Sequence, residues 1–238
     1  MEIMKLTTYR TAMALGFVSL GFVASAGTYT PLALPLLNTD IRTWTDGSAY
    51  DPLFPSSSQV LGGVPFNFQA DANGNTAFEG GSLTIPVNVF GASSVYTLIN
   101  TAWGAYGADV GSVTFDGSLG ATYTVQLIEG GNVRDHYYNP SPFVNTTSDP
   151  MTTEAVWGVN SYGNAHLDMQ DFTLPGSFAD QTLVNIVFDS TGYDPIGEPF
   201  IAGATVLSPS CVPDGGFSAS LLGLSAGVLG LLRRRLAR

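Results

Sequence analysis

Leu83-Thr84-Ile85-Pro86-Val87-Asn88-Val89 decides the fold. Apolar and polar residues alternate at every step, the two-residue period of a strand with one buried face. Pro86 has no N–H to give a ladder, so it marks a sheet edge or a bulge. Further along, Tyr123-Thr124-Val125-Gln126-Leu127-Ile128 shows the same period, with Tyr123, Val125 and Leu127 on one face. Segments rich in β-branched and aromatic residues recur at 64–69, 82–90, 94–100, 112–115, 122–129, 155–160, 166–174, 182–188 and 200–207. Gly, Pro, Asn and Asp separate them, as turns require. Helical periodicity is absent between residues 27 and 210. The pattern predicts an all-β domain, a single two-sheet β-sandwich of the jelly-roll kind. An immunoglobulin-like sandwich is the alternative, without the Cys…Trp…Cys signature. Residues 27–63 read as an arm or first strand region, and 139–151 as a long surface loop suited to holding a site.

Both ends read as targeting signals. Lys5 and Arg10 precede an apolar stretch, 12–23, and Ala24-Ser25-Ala26 supplies a small-x-small cleavage site. This predicts a signal peptide over 1–26, cut before Gly27, and hence export. The far end reads Cys211-Val212-Pro213-Asp214-Gly215-Gly216, then an uncharged apolar run over 217–232, then Arg233-Arg234-Arg235-Leu236-Ala237-Arg238. Sixteen helical residues span about 24 Å, short against a hydrocarbon core of about 30 Å. Snorkelling arginines close that gap and hold the C-terminus on the cytoplasmic side. The division is therefore a signal peptide over 1–26, a domain over 27–210, and a C-terminal signal over 211–238.

Val212-Pro213-Asp214-Gly215-Gly216, the apolar run containing Leu221-Leu222-Gly223-Leu224, and Arg233, Arg234 and Arg235 together resemble the VPDSG-CTERM tail. That tail is a variant of the PEP-CTERM sorting signals of bacteria that make exopolysaccharide, and Gly215 stands where the family motif has Ser. The resemblance covers about 27 residues. It implies recognition by an exosortase near Val212, Pro213, Asp214, Gly215 and Gly216, transient anchoring in the cytoplasmic membrane, and then release or attachment at the cell surface or in the extracellular matrix. The chain is in that case a substrate of the exosortase and of the secretion machinery.

The charge balance of the domain is one-sided. Of eight basic residues, Lys5 and Arg10 lie in the leader and Arg233, Arg234, Arg235 and Arg238 in the tail, which leaves Arg42 and Arg134. Of nineteen acidic residues, only Glu2 and Asp214 lie outside 27–210, which leaves seventeen and a net charge of about −15. Binding nucleic acid or an anionic membrane surface needs a basic patch that this domain does not have. Cys211 is the single cysteine, so no intramolecular disulfide forms.

Catalytic signatures are thin. The domain has no Gly-x-Ser-x-Gly elbow and no His-Glu-x-x-His helix. His136, beside Arg134 and Asp135, is the sharpest candidate base, set against the plainer reading of a solvated loop histidine. No spacing brings two carboxylates to the roughly 5–9 Å that glycoside hydrolysis uses. No catalytic residue is therefore assigned and no cofactor is required. Asp71-Ala72-Asn73-Gly74-Asn75 alternates oxygen side chains as calcium loops do, with Glu79 as a further ligand for a structural Ca²⁺. The EF-hand template then fails at Thr76 and Ser82, which favours an Asx-rich hairpin turn.

Aromatic side chains near turns are the better binding candidates, because flat rings stack on sugar faces while polar neighbours bond the hydroxyls. Trp103-Gly104-Ala105-Tyr106-Gly107 and Arg134-Asp135-His136-Tyr137-Tyr138-Asn139 carry them, giving Trp103, Tyr106, Arg134, His136, Tyr137 and Tyr138 as candidate ligand-binding residues. The usual burial of Trp predicts instead that Trp103 and Trp157 anchor the core, with Trp44 the least core-like of the three. Val64-Pro65-Phe66-Asn67-Phe68, Tyr96-Thr97-Leu98-Ile99-Asn100-Thr101-Ala102-Trp103-Gly104 and Leu167-Asp168-Met169-Gln170 lie along this strand series and resemble galactose-binding-like β-sandwiches. That resemblance implies a non-catalytic module for extracellular polysaccharide, acting in exopolysaccharide or biofilm. A structural or adhesive surface protein without a small ligand, or a carboxylate-dependent glycoside hydrolase, are the alternatives.

Overall fold

A computed structural model describes residues 27–54, 58–137, 144–148, 153–158, 161 and 163–209. The predicted leader over 1–26, Tyr138, Val212, Pro213, Asp214, Gly215 and Gly216, and Arg233, Arg234 and Arg235 lie outside these residues. Among the described residues no helix is long and apolar enough to cross a membrane.

The fold is all-β. Twelve strands occur among the described residues: β1 (Thr28–Pro31), β2 (Gln59–Leu61), β3 (Val64–Phe66), β4 (Phe78–Glu79), β5 (Gly81–Phe90), β6 (Ser94–Ala102), β7 (Asp109–Gly117), β8 (Thr122–Ile128), β9 (Thr153–Trp157), β10 (Leu167–Thr173), β11 (Thr182–Ser190) and β12 (Glu198–Ser208). Only short 3-10 turns, Ile41–Thr43, Gly47–Leu53 and Gly176–Phe178, interrupt them. A six-stranded sheet runs β1-β12-β6-β10-β9, with β4 also on β12; a four-stranded sheet runs β5-β11-β7-β8. Every strand pairing is antiparallel.

The deciding stretch behaves as its alternation requires. In β5, Leu83 and Ile85 are buried and Val87 and Val89 partly so, while Thr84, Pro86, Asn88 and Phe90 are exposed. Pro86 sits on the edge strand of the smaller sheet, next to a register shift opposite Leu183 and Asn185. Both expectations for Pro86 thus hold at one place, and Asn88 turns the bulge with φ 61°. In β8, Tyr123, Val125 and Leu127 take the more buried face.

The two sheets share one buried cluster. Val95, Ile99, Phe172, Ile201 and Val206 of the larger sheet join Leu83, Ile85, Val113, Phe115, Ile186 and Phe188 of the smaller. Phe115 and Phe172 meet with ring centroids 5.5 Å apart, and Phe78 meets Phe188 edge-on at 6.2 Å. Seven apolar positions at two-residue spacing, Leu83, Ile85, Val87, Val89, Tyr123, Val125 and Leu127, predicted the smaller sheet's side of that layer. The opposite face of the larger sheet was not predicted to be covered. Leu98, Leu167, Met169 and Phe200 there pack under Ile41, Tyr50, Leu53, Leu61, Phe66 and Phe68 in a second buried cluster. Residues 27–63 hold the first strand region that was expected, β1 on β12; Leu32, Leu34 and Leu37 then pack into the first cluster, while the two 3-10 turns and the β2–β3 hairpin cover the second. Gly62 and Gly63, both at positive φ (55° and 84°), make the two-residue turn of that hairpin. β6 and β12, covered on both faces, are buried along most of their length and do not alternate; β6 buries Ser94, Thr97, Asn100 and Thr101 along with its apolar residues.

Candidate functional site

Strand ends gather at one end of the larger sheet. β6 finishes at Ala102 opposite Glu198, where β12 begins, and β4 sets Glu79 against Phe200 of the same strand. Asn38 fixes β4 by a reciprocal pair, its Nδ2 donating to the Glu79 carbonyl at 2.7 Å and its Oδ1 accepting the Glu79 N–H at 2.8 Å. The segment after β8 returns beside β6: the Thr101 N–H donates to the Arg134 carbonyl at 3.0 Å, and the His136 N–H to the Thr101 carbonyl at 2.8 Å.

These pieces surround a cavity of about 440 Å³ lined by Thr43, Trp44, Thr45, Glu79, Ala102, Trp103, Asp135, His136, Tyr137 and Glu198. Trp44, Trp103 and Tyr137 thus share one lining with the acidic residues Glu79, Asp135 and Glu198. Trp44 meets the rings of His136 and Phe200 edge-on, each at 5.1 Å between centroids, so its position is fixed from behind. Trp103 is 47% exposed and holds a left-handed backbone, φ 65°. That conformation is costly for a bulky residue and clusters at functional sites.

Burial dominates the electrostatics, and a neighbouring carboxylate adds to it at Glu79 and not at Asp135. Burial, and then the Glu198 carboxylate, push Glu79 up to about 7, against an opposing hydrogen bond from Thr39. Asp135 is 1% exposed; burial raises it to about 6, offset in part by the backbone N–H groups of Tyr137 and Trp103. Its Oδ1 accepts the Tyr137 N–H at 2.6 Å, while Oδ2 accepts no hydrogen bond. Beneath the Trp103 turn, Glu129 is fully buried; its Oε2 accepts the Thr101 hydroxyl at 2.8 Å and Oε1 accepts none. Burial pushes Glu129 up to about 8. A Cβ on Gly104 would come within 2.3 Å of Glu129 Oε1, so the turn closes over this carboxyl only because residue 104 has no side chain.

His136 is not a solvated loop histidine. It is 5% exposed, its Nδ1 lies 3.4 Å from the Tyr50 hydroxyl, and burial followed by the neighbouring His166 holds it down to about 4. The Tyr50 hydroxyl also donates to the His166 carbonyl. Arg134 faces away from the cavity lining: its guanidinium grips Asp168 and reaches His166 Nδ1 at 3.2 Å and the Asn145 carbonyl at 2.9 Å.

Of the sequence candidates, the fold brings Trp103, His136, Tyr137 and Glu79 to one cavity. Tyr106, 73% exposed, stands on the same turn as Trp103 outside the lining, and Arg134 lies in the adjoining buried network. Trp103 is not a core anchor, because its turn projects beyond the end of β6. Trp157 does pack against the second cluster, its Nε1 donating to the Ala49 carbonyl at 2.6 Å. Trp44, the least core-like in sequence, also packs there while walling the cavity. Asp71, Asn73 and Asn75 form an Asx turn: Asp71 Oδ1 accepts the N–H groups of Asn73 and Asn75 at 2.8 and 2.9 Å, and Oδ2 accepts Asn75 Nδ2 at 3.0 Å. Glu79 serves the cavity, and among the described residues no three His, Cys, Asp or Glu side chains gather as metal ligands. Glu198 carries no signal in the sequence, since only the β12–β6 register places it beside Ala102. Protein-family models give no match to this chain, and no curated protein matches it in sequence.

Proposed function

We propose that this is an exported, exosortase-processed protein of the cell surface or extracellular matrix whose domain binds carbohydrate without cleaving it. The domain is read as one jelly-roll, galactose-binding-like β-sandwich, anchored transiently in the cytoplasmic membrane by its tail before processing. The single supporting observation is the cavity itself, whose lining brings Trp44, Trp103 and Tyr137 together with Glu79, Asp135 and Glu198. Rings that stack on C–H faces and carboxylates that accept hydroxyl hydrogens are the two elements of sugar recognition. The partners on this reading are the secretion machinery, the exosortase and extracellular polysaccharide.

A glycan array probed with the processed protein tests it. Binding that disappears in Trp103→Ala while the far-ultraviolet circular dichroism is unchanged supports the reading. Array silence together with self-association replaces it by a structural or adhesive role. Release of reducing ends, abolished by Glu79→Gln, replaces it by hydrolysis.

A further inference from the structure

We propose that, before processing, the end of the domain from which the tail departs docks through Phe90 and Leu119 on the lipid surface that the tail enters. This rests on the membrane-anchored reading of the tail given above and is independent of the carbohydrate one.

The geometry centres on the exit of the chain. Ser208, the last residue of β12, pairs with Thr28. One residue earlier, the Leu207 carbonyl accepts the Ser93 N–H at 2.8 Å and the Ser93 hydroxyl at 3.2 Å, so the turn between β5 and β6 lies at the same end. Gln181 joins a second turn to the first. Its carbonyl accepts the Gly91 N–H at 2.9 Å, and its side-chain Oε1 accepts the Leu119 N–H at 2.8 Å. Gln181 is itself buried, so both turns are braced from within. Phe90 and Leu119 stand on these turns, 58% and 79% exposed. Single exposed apolar residues are ordinary on a protein surface; what distinguishes these two is where they stand.

The chain beyond residue 209 says what covers them. The seven residues 210–216 reach at most about 25 Å when fully extended, and the apolar run over 217–232 follows directly. With that run in a bilayer, both turns are held within one linker length of the lipid surface. Tethering of this kind raises the effective concentration so far that a few apolar side chains suffice as a second contact.

The distribution of charge agrees. Residues 90–93 and 117–121 include no ionisable side chain. The cavity end instead gathers Glu79, Asp135 and Glu198. A domain of net charge about −15 thus turns uncharged loops toward the lipid and keeps those acids away from it. Asp116 and Asp180 border the two turns in sequence and no lysine or arginine does, so the contact is apolar and suits neutral headgroups over anionic ones.

Quenching by brominated lipid tests this on the full chain reconstituted in phosphatidylcholine vesicles whose acyl chains carry bromine. The tail holds no tryptophan, and Trp44, Trp103 and Trp157 lie outside both turns, so the unsubstituted protein supplies the baseline. Leu119→Trp and Phe90→Trp, each checked for folding by circular dichroism, put a reporter on each turn, and Tyr106→Trp puts one beside Trp103 at the far end. The emission added at 90 and at 119 is expected to fall at least about twofold between plain and brominated vesicles, while that added at 106 is unchanged. Adding phosphatidylglycerol is expected to lessen the quenching; an increase would mean attraction to anionic lipid and overturn the apolar contact. Quenching at neither turn, or equal quenching at 106, in a protein that floats with the vesicles overturns the docking and leaves the anchored reading standing. A folded protein that does not float with the vesicles overturns both.

Discussion

Arg134 grips Asp168 with two nitrogens, Nε to Oδ2 at 2.6 Å and Nη2 to Oδ1 at 2.8 Å, and the Asp168 side chain is wholly buried. Asn100 completes the carboxylate's shell, donating through Nδ2 at 2.9 Å and accepting the Asp168 N–H at 2.8 Å. Removing one member of such a pair strands the other in a poor solvent. Asp168→Ala is expected to cost about 3–5 kcal/mol in urea denaturation. Replacing both, Arg134→Met with Asp168→Leu, is expected to recover part of that loss, because no unpaired charge then stays behind. A double change as damaging as the sum of the singles would contradict this account.

Stability should fall with rising pH above neutrality. Glu129, Glu79 and Asp135 are raised to about 8, 7 and 6 in the folded chain, from ordinary values of 4.5, 4.5 and 3.8. Between those limits the folded state holds protons that the unfolded chain has lost, so stability declines as pH increases. His136 and His166 act oppositely, because both are depressed from 6.5 to about 4 and contribute rising stability only between those values. Above 6.5 only the carboxyls remain, and melting temperature should drop from there to about pH 8. Glu129→Gln should flatten that limb and add roughly 2–4 kcal/mol at its upper end. An unchanged slope in the variant would show that Glu129 titrates normally.

Trp103 separates fold from binding. Its left-handed backbone suits glycine, so Trp103→Gly should raise stability by about 1 kcal/mol, whereas Trp103→Ala keeps the strain and should not. Both should weaken glycan binding by more than about tenfold, as the loss of an aromatic anchor does. Paired thermal melts and titrations test this; a Gly variant that melts earlier than the Ala variant would refute it.

The Asp71 turn gives a prediction about calcium. Asp71 is occupied by three donors from Asn73 and Asn75, so Asp71→Ala should lower the melting temperature. The drop should be the same in millimolar calcium and in chelator. A calcium-dependent difference in the unsubstituted protein would instead make this turn a metal loop.

The strands were legible because period-two patterning acts locally. All nine predicted segments overlap observed strands, with ends displaced by up to three residues, as at 67–69 beyond β3 and at the start of β7; residues 159–160 lie outside the described residues. β1, β2 and β4 were not legible: they are two to four residues long and exist through their partners, as Phe78 and Glu79 do on Phe200 and Ile201. The second core was hidden for a related reason, since Ile41, Tyr50 and Leu53 lie on 3-10 turns whose spacing has no strand or helix period. At the site, Trp103, His136 and Tyr137 stood out as aromatic residues in turn-rich sequence. Glu198 and the buried state of Asp135 depend on register and depth, which no short window encodes.

The pairing of Thr28 with Ser208 places the first and last strands of the domain side by side. Glu198, at the cavity, opens the same strand that Ser208 closes, so the two points are separated by the length of β12, about 33 Å at an extended rise per residue. A chain leaving after residue 209 therefore departs from the pole opposite the aromatic cleft. With the proposed tether at that pole, the strand works as a spacer: its full length separates the cavity residues beside Glu198 from the point of attachment.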